Sequence, residues 1–360
     1  MAKLLPPLPA SQSVAIIGAG ISGLACGEVL ASSGANVTLF DKARGPGGRM
    51  SSKRRPSATL DLGAQAFSVR DVNFQRAVDE WLAASCIAVW PTRTYQASSR
   101  GWQAHNDGQK RYAGAPRMSA LTRHMADSLT AQPNAELHTG TPIDMLDPTP
   151  NGWLLIDAAG SRHGPYAQVV ISAPPPQAHA LIEPWDDALA AACLTRTQRA
   201  CWAGWAIFDG PLPAVPGVDP DWQMARITHP SQGSVLNSAL NIVSRNQTKP
   251  GRNTQPESVS LLAQLEWSEA HLEQPAEWVA EQLLTALKGI FPTAVTFPRL
   301  VETGAHRWRY AQPSISCKHD YLYSENDLAL CGDSFRDGRV EDAWLSGHRL
   351  GEALIGRSVQ

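Results

Sequence analysis

Apolar positions along the chain fall into two patterns. Short unbroken runs occur at Val14-Ala15-Ile16-Ile17, Val169-Val170-Ile171-Ser172-Ala173 and Leu328-Ala329-Leu330-Cys331. Such runs suit strands of a parallel sheet buried on both faces. Asn36-Val37-Thr38-Leu39-Phe40 reads as a further strand that delivers Asp41. Apolar residues at helical spacing mark a second set of elements. One runs from about Asn73 to Ala84, with Phe74, Val78, Trp81 and Leu82 on one face, and another from Glu277 to Phe291 with Trp278, Leu283, Leu284 and Leu287. Arg117 to Met125 and Val340 to Ile355 also read as helices.

Between these lie weaker signals. Ile87 to Tyr112 alternates short β-runs with polar turns, and Trp202–Phe208 and Ser258–Glu266 are strand-like. Pro174-Pro175-Pro176 is expected to stop the preceding strand and start a loop. No repeat and no low-complexity tract interrupts the chain. The first buried strand is at the N-terminus and the last strand and helix are at the C-terminus. This order predicts a nucleotide-binding domain discontinuous in sequence, over 11–70, about 115–175 and 325–360. A substrate-side domain would take about 71–114 and 176–324.

Composition narrows the class. The 360 residues are 43% hydrophobic and 18% charged, which is globular and excludes a disordered chain. The net charge of −2 gives no reason to expect nucleic acid or an anionic membrane as partner. No apolar run approaches the roughly 18 residues of a membrane span. The prolines in MAKLLPPLPASQS argue against a signal peptide, so a cytoplasmic protein is expected. The 6 cysteines form no CxxC pair and meet no histidine cluster, so no metal site is expected and the thiols read as reduced. All 12 tryptophans lie beyond residue 80, so the Gly-rich first eighty residues carry none.

The chemistry concentrates at glycines. Gly18-x-Gly20-x-x-Gly23 sits between a strand and a helix that runs to about Ser33, with Gly34 at its C-cap. Glycines there permit a tight turn and close approach of a pyrophosphate, which the helix N-terminus stabilises. Asp41, at the end of the second strand, is placed to accept from a ribose hydroxyl. Two further segments favour FAD over NAD. Arg44-Gly45-Pro46-Gly47-Gly48-Arg49-Met50 offers backbone approach and a cation. Gly332-Asp333, followed by a helix entered at Arg339-Val340, offers a carboxylate for ribityl hydroxyls. The helix N-terminus there is expected to stabilise the negative charge of reduced flavin.

Asp41-Lys42-Ala43-Arg44-Gly45-Pro46-Gly47-Gly48-Arg49-Met50-Ser51-Ser52-Lys53-Arg54, with Asp61-Leu62-Gly63-Ala64-Gln65, resembles the bacterial renalase-like branch of the FAD-dependent amine-oxidase-type flavoproteins. Met118–Arg123, Lys249-Pro250-Gly251-Arg252, His306–Pro313 and Arg339–Gly347 extend the likeness over nearly the whole chain. The resemblance implies an α/β fold: a Rossmann-like FAD-binding domain of glutathione-reductase/amine-oxidase type with an inserted β-sheet-rich substrate domain. It implies noncovalent FAD held by Gly18, Gly20, Ile21, Ser22, Gly23, Asp41 and Lys42. Gly48, Arg49, Met50, Ala64, Gln65, Ile143, Gly332, Asp333, Arg339 and Val340 complete that set.

The activity implied is oxidation of misreduced 2- or 6-dihydro isomers of NAD(P)H to NAD(P)+, with O2 as acceptor and hydrogen peroxide as product. Hydride transfer to a flavin needs no general base, and the sequence carries no HExxH, GxSxG or P-loop. Gln65 is expected beside the flavin. His306 and Trp308 share one face of a strand, where they either border the flavin or pack in the core. The loop Arg245–Arg252 carries three cations, which reads first as a solvated basic loop and second as a phosphate site. Cys317 reads as an ordinary thiol rather than a flavin attachment point.

Two positions depart from the family. Gln-Tyr-Phe is Gln65-Ala66-Phe67 here, and Leu262 stands where the bacterial members carry a histidine. With Asn246 these residues are assigned to the substrate wall. An amine oxidase or other FAD-dependent oxidase of a small apolar substrate is the alternative reading. A catalytically silent FAD-binding protein is another.

Overall fold

The computed structural model describes residues 12–98, 101–228, 239–317 and 319–356. The chain divides into two compact units, each discontinuous in sequence. The first takes 1–48, 122–198 and 313–360, and the second takes 49–121 and 199–312.

The core of the first unit is a six-stranded sheet in the order Ala135–Thr139, Asn36–Asp41, Ser13–Ile17, Gln168–Ile171, Leu328–Cys331, Tyr321–Tyr323. The first five strands are parallel and the last is antiparallel. Their apolar runs are unbroken because both faces are covered: Val14, Ala15, Ile16, Val169, Val170 and Ile171 have no exposed surface. The strand order reverses at Ser13–Ile17 and Gln168–Ile171, whose carboxyl ends are the expected place for a nucleotide. Helix Ile21–Ser32 follows the first strand and packs against the C-terminal helix Val340–Leu354. A Cβ on Gly347 would lie 1.9 Å from the Ser22 carbonyl oxygen and one on Gly351 2.8 Å from Val29, so glycines set this close approach.

A three-stranded antiparallel sheet, Ile143–Thr149, Gly152–Asp157 and Arg162–Tyr166, completes the unit with two short helices. The first of these, Pro175–Ile182, corrects the expectation of a loop after the three prolines. Pro174 is its N-cap and Pro175 occupies its first turn, where a missing N–H costs nothing and the fixed φ favours the helix.

The second unit is built on a seven-stranded sheet. Its order is Leu300–Pro313, Gln198–Phe208, Glu257–Ala263, Leu240–Arg245, Met224–Ile227, Thr94–Ser98, Gly101–Ala104. Strand Gln198–Phe208 shows the two-residue period directly. Trp202, Ala206 and Phe208 enter one core with helix Ala276–Gly289, while Ala203, Trp205 and Ile207 enter another with Leu60 and Leu62. The expected strand Ser258–Glu266 ends at Ala263, and helix Leu265–Ala270 takes over. A hairpin of Ser52–Arg54 and Thr59–Asp61 and a small sheet of Phe67–Ser68, Arg111–Gly114 and Ile87–Val89 complete the unit.

Candidate functional site

In the first unit the glycine turn joins the two strands at the reversal. Ser172, just past Gln168–Ile171, donates through Oγ to the Gly18 carbonyl at 2.8 Å. A Cβ on Gly18 would lie 2.6 Å from that hydroxyl, and one on Gly23 would lie 2.0 Å from the Gly18 carbonyl oxygen. Neither glycine has room for a side chain. At Gly20 an added Cβ meets nothing within 4 Å, so the turn is closed beneath and open at the helix entrance. No side chain caps helix Ile21–Ser32, and its first N–H groups are free of a side-chain cap. This cradle fits a pyrophosphate on the helix dipole.

Asp41 is buried, and its two carboxylate oxygens accept from Ala19 N at 2.8 Å and Ala43 N at 2.7 Å. It therefore braces the turn, and each oxygen retains a lone pair for a ribose hydroxyl. Gly47 N donates to the Ala19 carbonyl at 2.9 Å and brings Gly48 against Gly20. Lys42 is exposed and reaches Gln177, while Ile143 packs on the sheet core at the start of its strand.

At the other end of the sheet, Gly332 adopts φ +145, and its N–H donates to Ser346 Oγ at 2.8 Å. Asp333 follows, buried, in a 3-10 turn. Arg339 and Val340 open helix Val340–Leu354, whose first turn holds Glu341 and Asp342. Asp342 Oδ2 accepts from Arg339 N at 3.1 Å, Asp342 Oδ1 from Arg336 Nε at 3.1 Å, and Glu341 is buried beside it.

The second unit contains a buried ionic network around Asp61. Oδ2 of Asp61 accepts from Lys249 Nζ at 2.8 Å and from Arg252 Nη2; Oδ1 accepts from Ser52 Oγ at 2.6 Å and Met118 N at 3.3 Å. Lys249 Nζ also donates to Gln65 Oε1 at 3.1 Å and lies 4.7 Å from the Trp90 ring centroid. Gln65 Nε2 donates to the carbonyls of Asp61 at 2.7 Å and Gly63 at 3.0 Å, so its amide has one orientation. Burial alone would raise Asp61, but the charges of Lys249 and Arg252 outweigh it and hold the carboxyl at about 2. Lys249 is brought down to about 8, first by burial and then by Arg252, against the pull of Asp61. One carboxylate shared between two cations leaves the lysine under-compensated, which reconciles the two shifts.

This network revises two expectations. The cations of Arg245–Arg252 do not form a solvated loop: Arg245 is paired with Glu257, and the side chains of Lys249 and Arg252 are 0% and 6% exposed. Asn246 does not line a substrate wall. It has no exposed surface, and its amide is spent on Asp61 N at 3.1 Å, Arg252 at 3.0 Å and Ser260 Oγ at 2.9 Å. Ser172 and Asp61 are the residues that sequence reading did not assign to a site; a hydroxyl after a strand and an acid before Leu-Gly were their only marks.

The other assigned residues of this unit gather at the same turn. Gly63 has no room for a side chain, since a Cβ would lie 1.9 Å from the Arg49 carbonyl oxygen; Ala64 N donates to that oxygen at 3.0 Å. Arg49 Nη1 donates to the Ala311 carbonyl at 3.1 Å and Met50 is buried. Trp308 Nε1 donates to the Leu62 carbonyl at 2.9 Å, and Leu262 packs with Trp308 on the Leu60, Leu62 and Trp205 cluster. His306 meets Trp308 edge to face at 4.4 Å. Surrounding protein and the Lys53 ammonium hold His306 below the usual imidazole pKa, although the residue remains exposed. Lys53 itself lies 4.0 Å from the Trp205 ring centroid, and Ala66 is half-buried. Among the described residues no group of histidine, cysteine or acidic side chains could hold a metal ion.

Residues 16–81 match the model of the NAD(P)-binding Rossmann-like domains, and residues 80–355 match that of the flavin containing amine oxidoreductases. A 4,4'-diapophytoene desaturase of Staphylococcus haemolyticus is 42% identical over 59 residues, which is 16% of this chain and 12% of that protein. The chain thus matches only a small part of that relative's length. Among solved structures, reduced UDP-galactopyranose mutase superposes with a TM-score of 0.74 at 11% identity, over 97% of this chain and 94% of that one. An oxidoreductase from Methanosarcina mazei gives 0.69 at 12% identity, over 94% and 100%. At these identities the likeness is one of fold.

Proposed function

The chain belongs to the flavin containing amine oxidoreductases, and we propose that it oxidises small molecules bearing a dihydropyridine ring, the 2- or 6-dihydro isomers of NAD(P), to NAD(P)+. It is an FAD-dependent oxidoreductase. The glycine turn Gly18–Gly23 with Asp41 would hold FAD, which would supply the hydride acceptor, with dioxygen and a proton from solvent as the co-reactants that give hydrogen peroxide.

The observation that carries the substrate reading is the closure of the network beside Gln65. Asp61, Lys249, Arg252 and the Gln65 amide satisfy one another, so none of them is free to take a proton from a substrate. A dihydropyridine needs no such base, because losing a hydride makes its ring aromatic. What remains for the protein is to orient the ring and exclude water, and a fixed Gln65 amide with a tethered Trp308 ring suits that work.

A second reading has its own observation. An amine must be deprotonated before oxidation, and His306, held below its usual pKa and exposed, is able to accept that proton. Anaerobic mixing of the FAD-loaded protein with NADH, NADPH, their 2- and 6-dihydro isomers and primary amines separates the two. Bleaching of the flavin by the 2- or 6-dihydro isomers ahead of all others is expected. Bleaching by an amine, with none by any dihydro isomer, overturns the proposal in favour of the second reading.

A further inference from the structure

We infer that a cleft in the second unit is a binding site for a phosphate-type oxyanion, distinct from the glycine turn of the first. The cleft has a volume of about 240 Å³ and lies among residues 55–59, 116–117, 247, 251–253, 255–256 and 258. Three guanidinium groups line it, those of Arg55, Arg117 and Arg252, and no carboxylate does. Most of the remaining lining is small or hydrogen-bonding, with Ser57, Asn253 and Gln255 at its edge.

The three arginines differ in what they offer. Arg252 is a fixed positive floor: it donates to the carbonyls of Pro116 at 2.8 Å and Thr59 at 2.9 Å, to Asn246 Oδ1 at 3.0 Å, and to Asp61. Arg55 is tethered to Glu302 at 2.6 Å. Two of the three charges are thus matched by acids outside the lining. Arg117 is half-buried and its side chain has no ion pair or hydrogen bond among the described residues. Its fork is the group left to close on a ligand, and a guanidinium fork matches two oxygens of one anion.

Size and lining select the ligand class. The volume is below the roughly 300 Å³ at which drug-sized ligands begin, so a whole dinucleotide does not fit. No aromatic side chain lines the cleft, so a nucleobase finds no stacking partner. A phosphate group, free or at the end of a nucleotide, fits both constraints. This inference stands apart from the substrate reading above, since it uses neither Gln65 nor His306.

The test is calorimetric titration of the FAD-loaded full chain with inorganic phosphate at constant low ionic strength, followed by competition with AMP. FAD loading keeps the glycine turn filled. Saturable binding of one phosphate is expected, weakened at least about tenfold by Arg117→Ala and partly retained by Arg117→Lys. Arg117→Ala should keep its FAD content, because that side chain holds nothing in place. Asn253→Asp, at an exposed edge, should weaken phosphate by charge repulsion and serves if the arginine variant fails to fold. Displacement of phosphate by AMP identifies a nucleotide-borne phosphate as the ligand, and indifference to AMP identifies the free anion; either supports the site. Absence of saturable phosphate binding, or equal affinity in the wild type and both variants, overturns it.

Discussion

Two aspartates carry much of the local order, by different means. Asp41 satisfies two backbone N–H groups of the glycine turn and its neighbour. In Asp41→Ala both would be left without that acceptor, at a cost of about 1–3 kcal/mol, so FAD should bind about 5- to 150-fold more weakly. Fluorescence titration of apoprotein with FAD measures this, and an unchanged affinity removes Asp41 from the site. Asp61 neutralises two buried cations, and Asp61→Asn should destabilise the fold by about 3–5 kcal/mol because Lys249 and Arg252 stay buried without it. Lys249→Met in that background should recover part of the loss, which a double-mutant cycle in urea reads directly. The pH dependence follows from sign. Asp61 has a folded pKa near 2 against an ordinary 3.8, so its contribution is complete above about 4 and is lost as pH falls toward 2. Lys249 is depressed to about 8 from 10.5, so folding gains stability from it as pH rises through that interval. Urea midpoints from pH 2 to 5 should fall less steeply in Asp61→Asn than in the wild type.

Among the elements, buried strands were legible because both-sided burial demands unbroken apolar runs, and such runs survive in sequence without context. Ser13–Ile17, Gln168–Ile171 and Leu328–Cys331 are of that kind. The prolines misled because Pro stops a strand and starts a helix with equal ease, and only the chain beyond 176 decides. The Asp61 network was not legible for a different reason. Asp61 and Lys249 are 188 positions apart, and no local pattern marks a lysine as fully buried. Helix packing gives an element-scale test. Gly347→Ala gains up to about 1 kcal/mol of helix propensity, yet its Cβ would lie 1.9 Å from the Ser22 carbonyl. Overlap of that kind costs about 1–3 kcal/mol and pushes helix Ile21–Ser32 at its N-terminal end. Lower thermal stability together with weaker FAD retention is expected. Greater stability with unchanged FAD content would show that the helices separate freely.

For the molecule as a whole, the glycine turn in one unit and the Asp61–Lys249–Gln65 network in the other were assembled from segments scattered along the sequence. Cofactor class was readable from the first, because phosphate binding leaves glycines at fixed spacing. The Asp61–Lys249–Gln65 network was not, because its members are joined by long-range contacts. Among the described residues five cysteines are buried and Cys317 is partly so. With no thiol identified as an attachment point, FAD is expected to leave with the supernatant on acid precipitation; colour held by the pellet would refute noncovalent binding. The central claim is that a hydride leaves the substrate without help from a protein base. It is tested most directly by stopped-flow reduction of the flavin, using the dihydro-NAD isomer that bleaches it fastest. A substrate deuterated at the reacting ring carbon should slow reduction severalfold while D2O leaves the rate unchanged. A solvent isotope effect with no substrate isotope effect would contradict the claim.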